Sequence, residues 1–250
     1  MLNNAASVGM GLLLCGLVGL GLPASETVES RDSIPPDYPQ SLDSELQHLL
    51  AVTQRDRPDP NLLLQLAEIY LDLADDLYTD DPKRLSAYEQ GAKAASRAME
   101  LQDSNAQAHF LYAANLGSAE RMRGLTTAGM KVKEIKRHVA RAIELDNNHA
   151  QALQMMGGLL MELPWFLGGD KELAQEYLER AVAADGNFTN ARILLAKSYK
   201  RQARTEDARK QLEYVIHAEH PHYPYTWARK FKPEAERMLK ELLMSKPVAQ

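Results

Sequence analysis

The chain has 250 residues and a formal net charge of −5, with 45% hydrophobic and 25% charged side chains. This composition is ordinary for a folded globular protein and excludes the disordered and collagen-like classes. A mildly acidic chain without a basic excess gives no reason to expect a nucleic-acid partner. The single cysteine, Cys15, excludes an intramolecular disulfide and a cysteine-rich zinc site.

The N-terminal segment, residues 1–24, contains no charged side chain, and residues 5–22 are apolar or small throughout. This pattern predicts a secretory signal peptide that is cleaved at the end of the segment. Two alternatives stay open. An apolar run of roughly 20 residues can remain as a membrane anchor, and Cys15 can carry a lipid, although Leu14 before it is a poor context for that modification. In each case we expect an exported protein, periplasmic or envelope-associated if the cell is bacterial.

The second segment, residues 25–60, is rich in proline and acidic residues. It carries eight acidic and three basic side chains, which together account for the whole net charge of −5. Because each proline removes a backbone donor and fixes φ, we predict a linker here. Within it, residues 41–51 predict one short helix with four leucines on one face.

The third segment, residues 61–245, contains a repeated helical pattern. Similar stretches occur at residues 97–101, 141–145 and 180–184, at spacings of 44 and 39 residues, with a weaker copy at 211–216. Apolar residues recur at i, i+3, i+4 and i+7 in each copy, which predicts helices and no strands.

The last copy matches the tetratricopeptide repeat, a helix pair of about 34 residues with small residues where the helices touch. Ala196 and Ala208 are those small residues. We therefore predict an all-α fold, a tetratricopeptide-like α-solenoid of about four helix pairs with a capping helix at residues 233–244 and a tail at 246–250. Relative to the standard unit, we expect the turns inside successive pairs to be longer by about 12, 10, 5 and 0 residues.

Three segments carry a family resemblance: YAANLG at 112–117, AIELD at 142–146 and ELPWFLGGD at 162–170. An exported repeat protein with these segments resembles the T component of TRAP transporters, and more distantly the regulator-of-microtubule-dynamics proteins of animals. The resemblance implies an extracytoplasmic protein that is not an enzyme, often a lipoprotein and an oligomer, working beside a solute-binding protein.

The candidate binding surface follows from repeat geometry, because the first helix of each pair lines the concave side of such an array. Amides on this inner face would bind extended backbone, and apolar residues would give pockets for side chains or for a small hydrophobic ligand. The residues that the pattern turns inward are Asn61, Leu64, Glu68, Gln107, Phe110, Ala114, Gln151, Gln154, Gly158, Asn190, Ile193 and Lys197.

Catalytic and cofactor motifs are missing from the sequence, so we predict neither enzyme activity nor a cofactor. His217, His220 and His222 could hold a metal, but Pro221 interrupts the helix between them, and we favour solvated or turn-capping histidines.

Three further features are interpreted as structural rather than functional. We expect Trp165 and Phe166 to fold back over the neighbouring repeat; exposed, they would form a contact patch. The basic stretch at residues 121–141 is interpreted as a solvated helix face, with an acidic partner or a membrane surface as the alternative. The aromatic residues at 223–231 are assigned to packing of the capping helix.

These observations favour an extracytoplasmic repeat scaffold that binds a protein partner, such as a solute-binding protein, or a small apolar solute. The alternative is a membrane-tethered structural adaptor in envelope assembly, with residues 1–24 kept as an anchor. A homo-oligomer fits either hypothesis.

Overall fold

The computed structural model of the chain describes residues 34–55 and 59–244, without the side chains of residues 54–55 and 125–130. The predicted signal or anchor at residues 1–24, the lipid-attachment candidate Cys15 and the tail at 246–250 lie outside the described residues.

Regular structure in the described residues is helical. The array begins with α1 and ends with α11, and three short π or 3-10 turns interrupt it at Leu73–Leu77, Trp165–Leu167 and Trp227–Phe231. The helices are α1 (Ser41–Arg55), α2 (Pro60–Asp72), α3 (Asp81–Leu101), α4 (Ala106–Arg123), α5 (Leu125–Leu145), α6 (Ala150–Glu162), α7 (Lys171–Ala184), α8 (Thr189–Arg201), α9 (Thr205–Ile216), α10 (Pro224–Thr226) and α11 (Lys232–Met244).

Consecutive helices from α1 to α9 pack against each other, and α11 packs against α9. One continuous apolar core runs through the pairs and includes the fully buried Leu63, Leu111, Leu178 and Leu212. Small residues stand where helices approach closely: a Cβ on Gly157 would lie 2.7 Å from Leu178 Cγ. The predicted all-α, tetratricopeptide-like solenoid with a C-terminal capping helix is confirmed.

Side-chain caps fix the starts of several helices. The carboxylates of Asp59, Asp80 and Asp170 accept hydrogen bonds from backbone N–H groups at the beginnings of α2, α3 and α7. Asn105 does the same for α4. Such caps satisfy backbone donors that have no partner inside the helix, so the polar turns of the sequence set the helix boundaries.

The extra residues of the first two repeats lengthen the helices, which corrects the expectation of longer turns. α3 and α5 have 21 residues each and α4 has 18, whereas α6 to α9 have 12 to 14. Only Gly124 separates α4 from α5. Its φ of 106° lies in the region of positive φ that favours glycine. In the third pair the extra residues do form a loop, between α6 and α7.

The predicted short helix in the proline-rich segment is present as α1, but the segment is not merely a spacer. Leu42, Leu46 and Leu49 are buried in the main core. Tyr78 donates a hydrogen bond of 2.9 Å to Asp43, which ties α1 to the end of the first repeat helix. The folded array therefore begins at α1, because its leucine face covers apolar surface of α2.

No helix within the described part of the chain has the length and apolar character needed to cross a membrane.

Candidate binding face and C-terminal strap

The predicted inner-face residues lie on α2, α4, α6 and α8, the first helices of the four pairs. They differ in accessibility. Asn61 is exposed and most of the others are half-buried. Phe110 and Ile193, expected to line pockets, are only 8% and 1% exposed because they pack in the core.

Amide and imidazole groups meet where α4 and α6 begin. His149 Nδ1 accepts from Ala152 N and caps α6, so its Nε2 carries the proton and donates to Gln107 Oε1 at 2.9 Å. The Phe110 ring lies 5.2 Å from the imidazole. Burial lowers the pKa of His149, which favours the neutral ring that this arrangement requires.

Residues 222–231, which we call the C-terminal strap, form the second part of the connection between α9 and α11 and lie against the helices of the predicted inner face. At its first end, His222 N donates to Asn187 O at 3.1 Å, and its ring pairs with Asp185 at 2.7 Å. The next residue, Tyr223, accepts a hydrogen bond from Gln151 of α6. These contacts attach the strap to the beginnings of α6 and α8.

The other end of the strap reaches the end of α2, at the π turn Leu73–Leu77 that directly follows this helix, about 150 residues away in sequence. Thr226 Oγ1 donates to Asp76 Oδ1 at 3.2 Å, and Lys230 Nζ donates to Asp75 O at 3.3 Å. The Tyr225 ring packs edge-on against Tyr38, with centroids 4.9 Å apart. The strap therefore connects the last repeats to the first.

Trp227, which lies between Thr226 and Lys230, attaches the strap to α9, because its Nε1 donates to Val215 O at 2.7 Å. Tyr223, Trp227 and Phe231 all pack against the main core. The following helix adds an ion pair of 2.7 Å between Glu234 and the inner-face residue Lys197. These three aromatic residues have the packing role that we expected, whereas Tyr225 packs on Tyr38 instead. Tyr223 also contacts Gln151 of the predicted inner face.

A tyrosine-rich acidic site receives the far end of the strap. Tyr38 donates to Asp76 Oδ2 at 2.6 Å, and Asp76 is only 7% exposed. Burial, followed by this hydrogen bond to a carboxylate, raises the pKa of Tyr38. Burial and the bond to Asp43 likewise raise the pKa of Tyr78 to about 12. These phenols stay protonated near neutral pH, and the nearby carboxylates can accept hydrogen bonds from a basic segment.

The candidate histidine cluster is split between different partners. His217 bonds its own helix at Glu213 O, 2.8 Å away, whereas His222 pairs with Asp185 and His220 is exposed. Among the described residues, no three histidine, cysteine, aspartate or glutamate side chains come close enough to hold a metal ion.

The interpretation that Trp165 and Phe166 fold back is wrong. Trp165 is 85% exposed and Phe166 is 68% exposed. Gly168 adopts φ 81° after the turn, and a Cβ on Gly169 would lie 1.8 Å from Leu163 O, so the two glycines set a tight turn that points the aromatic pair outward.

The basic stretch is mostly paired within the array. Arg123 binds Glu89 and Glu120, Lys131 binds Glu134, and Lys136 donates to Gly168 O. Such local pairing favours the interpretation as a solvated helix face.

Sequence reasoning found the first helix of each pair, on which the predicted inner face lies, but missed the groups that hold the strap. Asp76, Thr226 and Lys230 belong to no motif. The available signals were the paired aspartates at 75–76 and the i, i+4 spacing of Thr226 and Lys230, but nothing in one sequence connects two sites so far apart.

The repeated helix pairs define the class of protein, one with a tetratricopeptide-type repeat fold. The fold is similar to the crystal structure of a thermophilic TPR protein of Thermus thermophilus, with a TM-score of 0.58 and 14% identity. The match covers 82% of this chain and 92% of that one. At this identity the likeness concerns the fold.

The chain belongs to the family described as regulator of microtubule dynamics protein 1-3, whose sequence profile matches residues 35–164. It is 27% identical to regulator of microtubule dynamics protein 1 of Bos taurus over 176 residues, 64% of this chain and 56% of the relative. It is 27% identical to the Pongo abelii protein of that name over 228 residues, 80% of this chain and 72% of the relative. The chain thus spans about half of the length of the bovine relative.

This family is the more distant of the two resemblances seen in the sequence. The matches show no link to the T component of TRAP transporters.

Proposed function

We propose that the chain is a non-enzymatic scaffold that binds a protein partner along its inner face. The observation that carries this proposal is that a peptide segment of the chain itself, the C-terminal strap, already binds Gln151 of this face and two carboxylates beside it, Asp185 and Asp76. Groups that bind one segment of backbone and side chains can bind another. A protein partner is favoured over a small apolar solute because Phe110 and Ile193 are packed in the core.

The location of the scaffold is part of the proposal. The apolar residues 5–22 support export, and if they are retained they support the alternative role as a membrane-tethered adaptor. A solute-binding protein as partner, as the likeness to TRAP T components implies, belongs with the exported form. The mass of the mature N-terminus separates the two forms, because a chain that starts at Ser25 has no anchor.

Affinity capture with matched variants tests the proposed function. The full chain, the inner-face variant Gln154→Arg and the exposed control Arg97→Gln on α3 are used as baits in extracts of the source cell. We expect a protein that the full chain and the control retain, that Gln154→Arg loses, and that binds again when purified. Equal retention of every captured protein by all three baits would overturn the proposal.

A further inference from the structure

The strap differs chemically from the surface that receives it. It combines aromatic residues with Arg229 and Lys230, whereas the receiving surface presents the carboxylates of Asp185, at the end of α7, and Asp76, in the turn after α2. Opposite charges across an interface give orientation and select the partner. The spacing of Thr226 and Lys230 places both on one side of a helical turn, toward the end of α2.

The strap is also less deeply buried than the helix that follows it. The helical turns Pro224–Thr226 and Trp227–Phe231 contain no fully buried side chain, whereas the following α11 buries Ala235, Met238 and Leu242. Segments with few buried apolar contacts open locally at lower free energy than the core. The strap can therefore leave the inner face while α11 stays docked.

We propose that the inner face recognises a short helix with aromatic and basic side chains, and that the strap is an intramolecular competitor for this site. This inference rests on the proposed function, because it names the chemistry of the protein partner and the device that regulates access. The partner segment would carry a hydroxyl and a cation one helical turn apart, and both would contact Asp76. An aromatic side chain of the segment would pack against Tyr38. A molecule whose strap is bound is closed to the partner. The apparent affinity for the partner is therefore the intrinsic affinity multiplied by the fraction of molecules in which the strap is released.

A synthetic peptide covering residues 218–232 tests the competition by fluorescence anisotropy. The proteins compared are the full chain, a released variant with Thr226→Val and Lys230→Gln, the released variant with Asp76→Asn added, and the control Arg97→Gln. We expect the released variant to bind the peptide about tenfold or more tightly than the full chain, because a tethered competitor has a high effective concentration. Adding Asp76→Asn should remove most of that gain, and the control should bind like the full chain.

Hydrogen exchange shows whether the released variant keeps its fold. We expect faster exchange at residues 222–231 and unchanged protection of α6 to α9. If the variant loses protection throughout, the charge swap Asp76→Lys with Lys230→Glu replaces it. The swapped chain should stay closed and bind the native peptide more weakly than the full chain does.

Equal peptide binding by the full chain and the released variant would overturn the inference, as would tight binding that survives Asp76→Asn. Failure of the proposed function looks different. If the peptide experiment fails while a partner still depends on Gln154 in affinity capture, the scaffold function stands and only the competition is wrong. If capture is insensitive to Gln154→Arg, the function itself is wrong.

Discussion

At the scale of single residues, one buried amide joins three helices. Asn115 is fully buried, and its Nδ2 donates to Ala67 O at 3.1 Å and to Leu111 O at 3.0 Å. No group in the described part of the chain donates to its Oδ1. The amide lies against Gly91 of α3, where a Cβ would stand 2.2 Å from Oδ1. Gly91 is therefore required by the bulk of Asn115 and not by its own backbone angles.

The first prediction concerns this contact. Gly91→Ala should lower the free energy of unfolding by about 1–3 kcal/mol, because an added methyl in a packed core forces neighbours to move. Gly117→Ala on α4 is the matched control, since its Cβ would meet Met155 Cε at an ordinary 3.4 Å. Alanine also has the higher helix propensity, so the control should be neutral or stabilising. Urea unfolding of both variants measures the difference; equal stability of the two would contradict the packing described.

A second polar contact links α4 to α5 through two imidazoles. The Nδ1 atoms of His109 and His138 are 2.9 Å apart. His109 Nε2 lies 2.9 Å from Asp103 O and must donate to it, while Arg137 Nη2 lies 3.2 Å from His138 Nε2 and donates to it. With those roles fixed, His138 Nδ1 carries the proton and donates to His109 Nδ1. A proton on His109 Nδ1 as well would remove the bond. Tyr112 packs on the His138 ring at 4.6 Å, with Glu134 beyond its hydroxyl.

The second prediction follows from the pKa of His138. Burial, then the neighbouring His109 and Arg137, lower this pKa in the folded chain. The unfolded state, with a histidine pKa of about 6.5, therefore binds protons first as pH falls. The free energy of unfolding should have its full value above a pH of about 6.5 and should decrease as the pH falls below it.

Urea unfolding at pH 7.5 and pH 5.5 measures this effect. His138→Gln should reduce the pH dependence, whereas the same change at the exposed His220 should leave it intact. A pH dependence that is unchanged by His138→Gln would refute the role of the imidazole pair.

At the scale of elements, α1 is part of the folded array. The third prediction is that Leu46→Ala lowers the free energy of unfolding by about 2–5 kcal/mol, as expected for a buried leucine. Leu46 is 7% exposed, whereas the adjacent Gln47 is exposed. Gln47→Ala should change stability by less than about 0.5 kcal/mol. Thermal unfolding checks both variants, and two equally mild effects would mean that α1 is only a spacer.

The loop between α6 and α7 gives a spectroscopic test, because the chain has two tryptophans. Trp165 is 85% exposed, whereas Trp227 is half-buried and bonded to Val215 O. The fourth prediction is that Trp227→Phe leaves red-shifted emission that acrylamide quenches readily. Trp165→Phe should leave blue-shifted, protected emission. The reverse order would restore the interpretation that Trp165 folds back.

Helices were more predictable than their connections. Apolar spacing and capping residues such as Asp170 gave the helix positions, because both act within a few residues of sequence. The lengths of α3 and α5 were missed. Comparison with the standard repeat length gives the number of inserted residues, but it does not tell whether those residues extend a helix or a loop. α1 was found as a helix but not as core, because burial depends on what packs against its leucines.

At the scale of the whole molecule, the repeat array carries its own ligand-like segment. The helix pairs followed from the repeat pattern, but contacts such as Thr226 with Asp76 join residues 150 positions apart. A periodic pattern holds no information about such pairs. The array belongs to the regulator-of-microtubule-dynamics family. The strap is the feature on which the proposed control of its binding surface depends.

The central claim, that the strap reaches the end of α2, is tested most directly by crosslinking within one chain. Asp75→Cys and Lys230→Cys are introduced with Cys15→Ser, which leaves the Thr226–Asp76 contact in place. The control pairs Lys230→Cys with Arg97→Cys. Arg84 of α3 donates to Ala74 O beside Asp75, and Arg97 lies 13 residues further along the helix, about 20 Å away.

A short bismaleimide should join the cysteines introduced at positions 75 and 230 within the monomer and leave the control pair unjoined, as measured by the mass of tryptic peptides. Equal crosslinking of both pairs, or none between positions 75 and 230, would contradict a strap that reaches the end of α2.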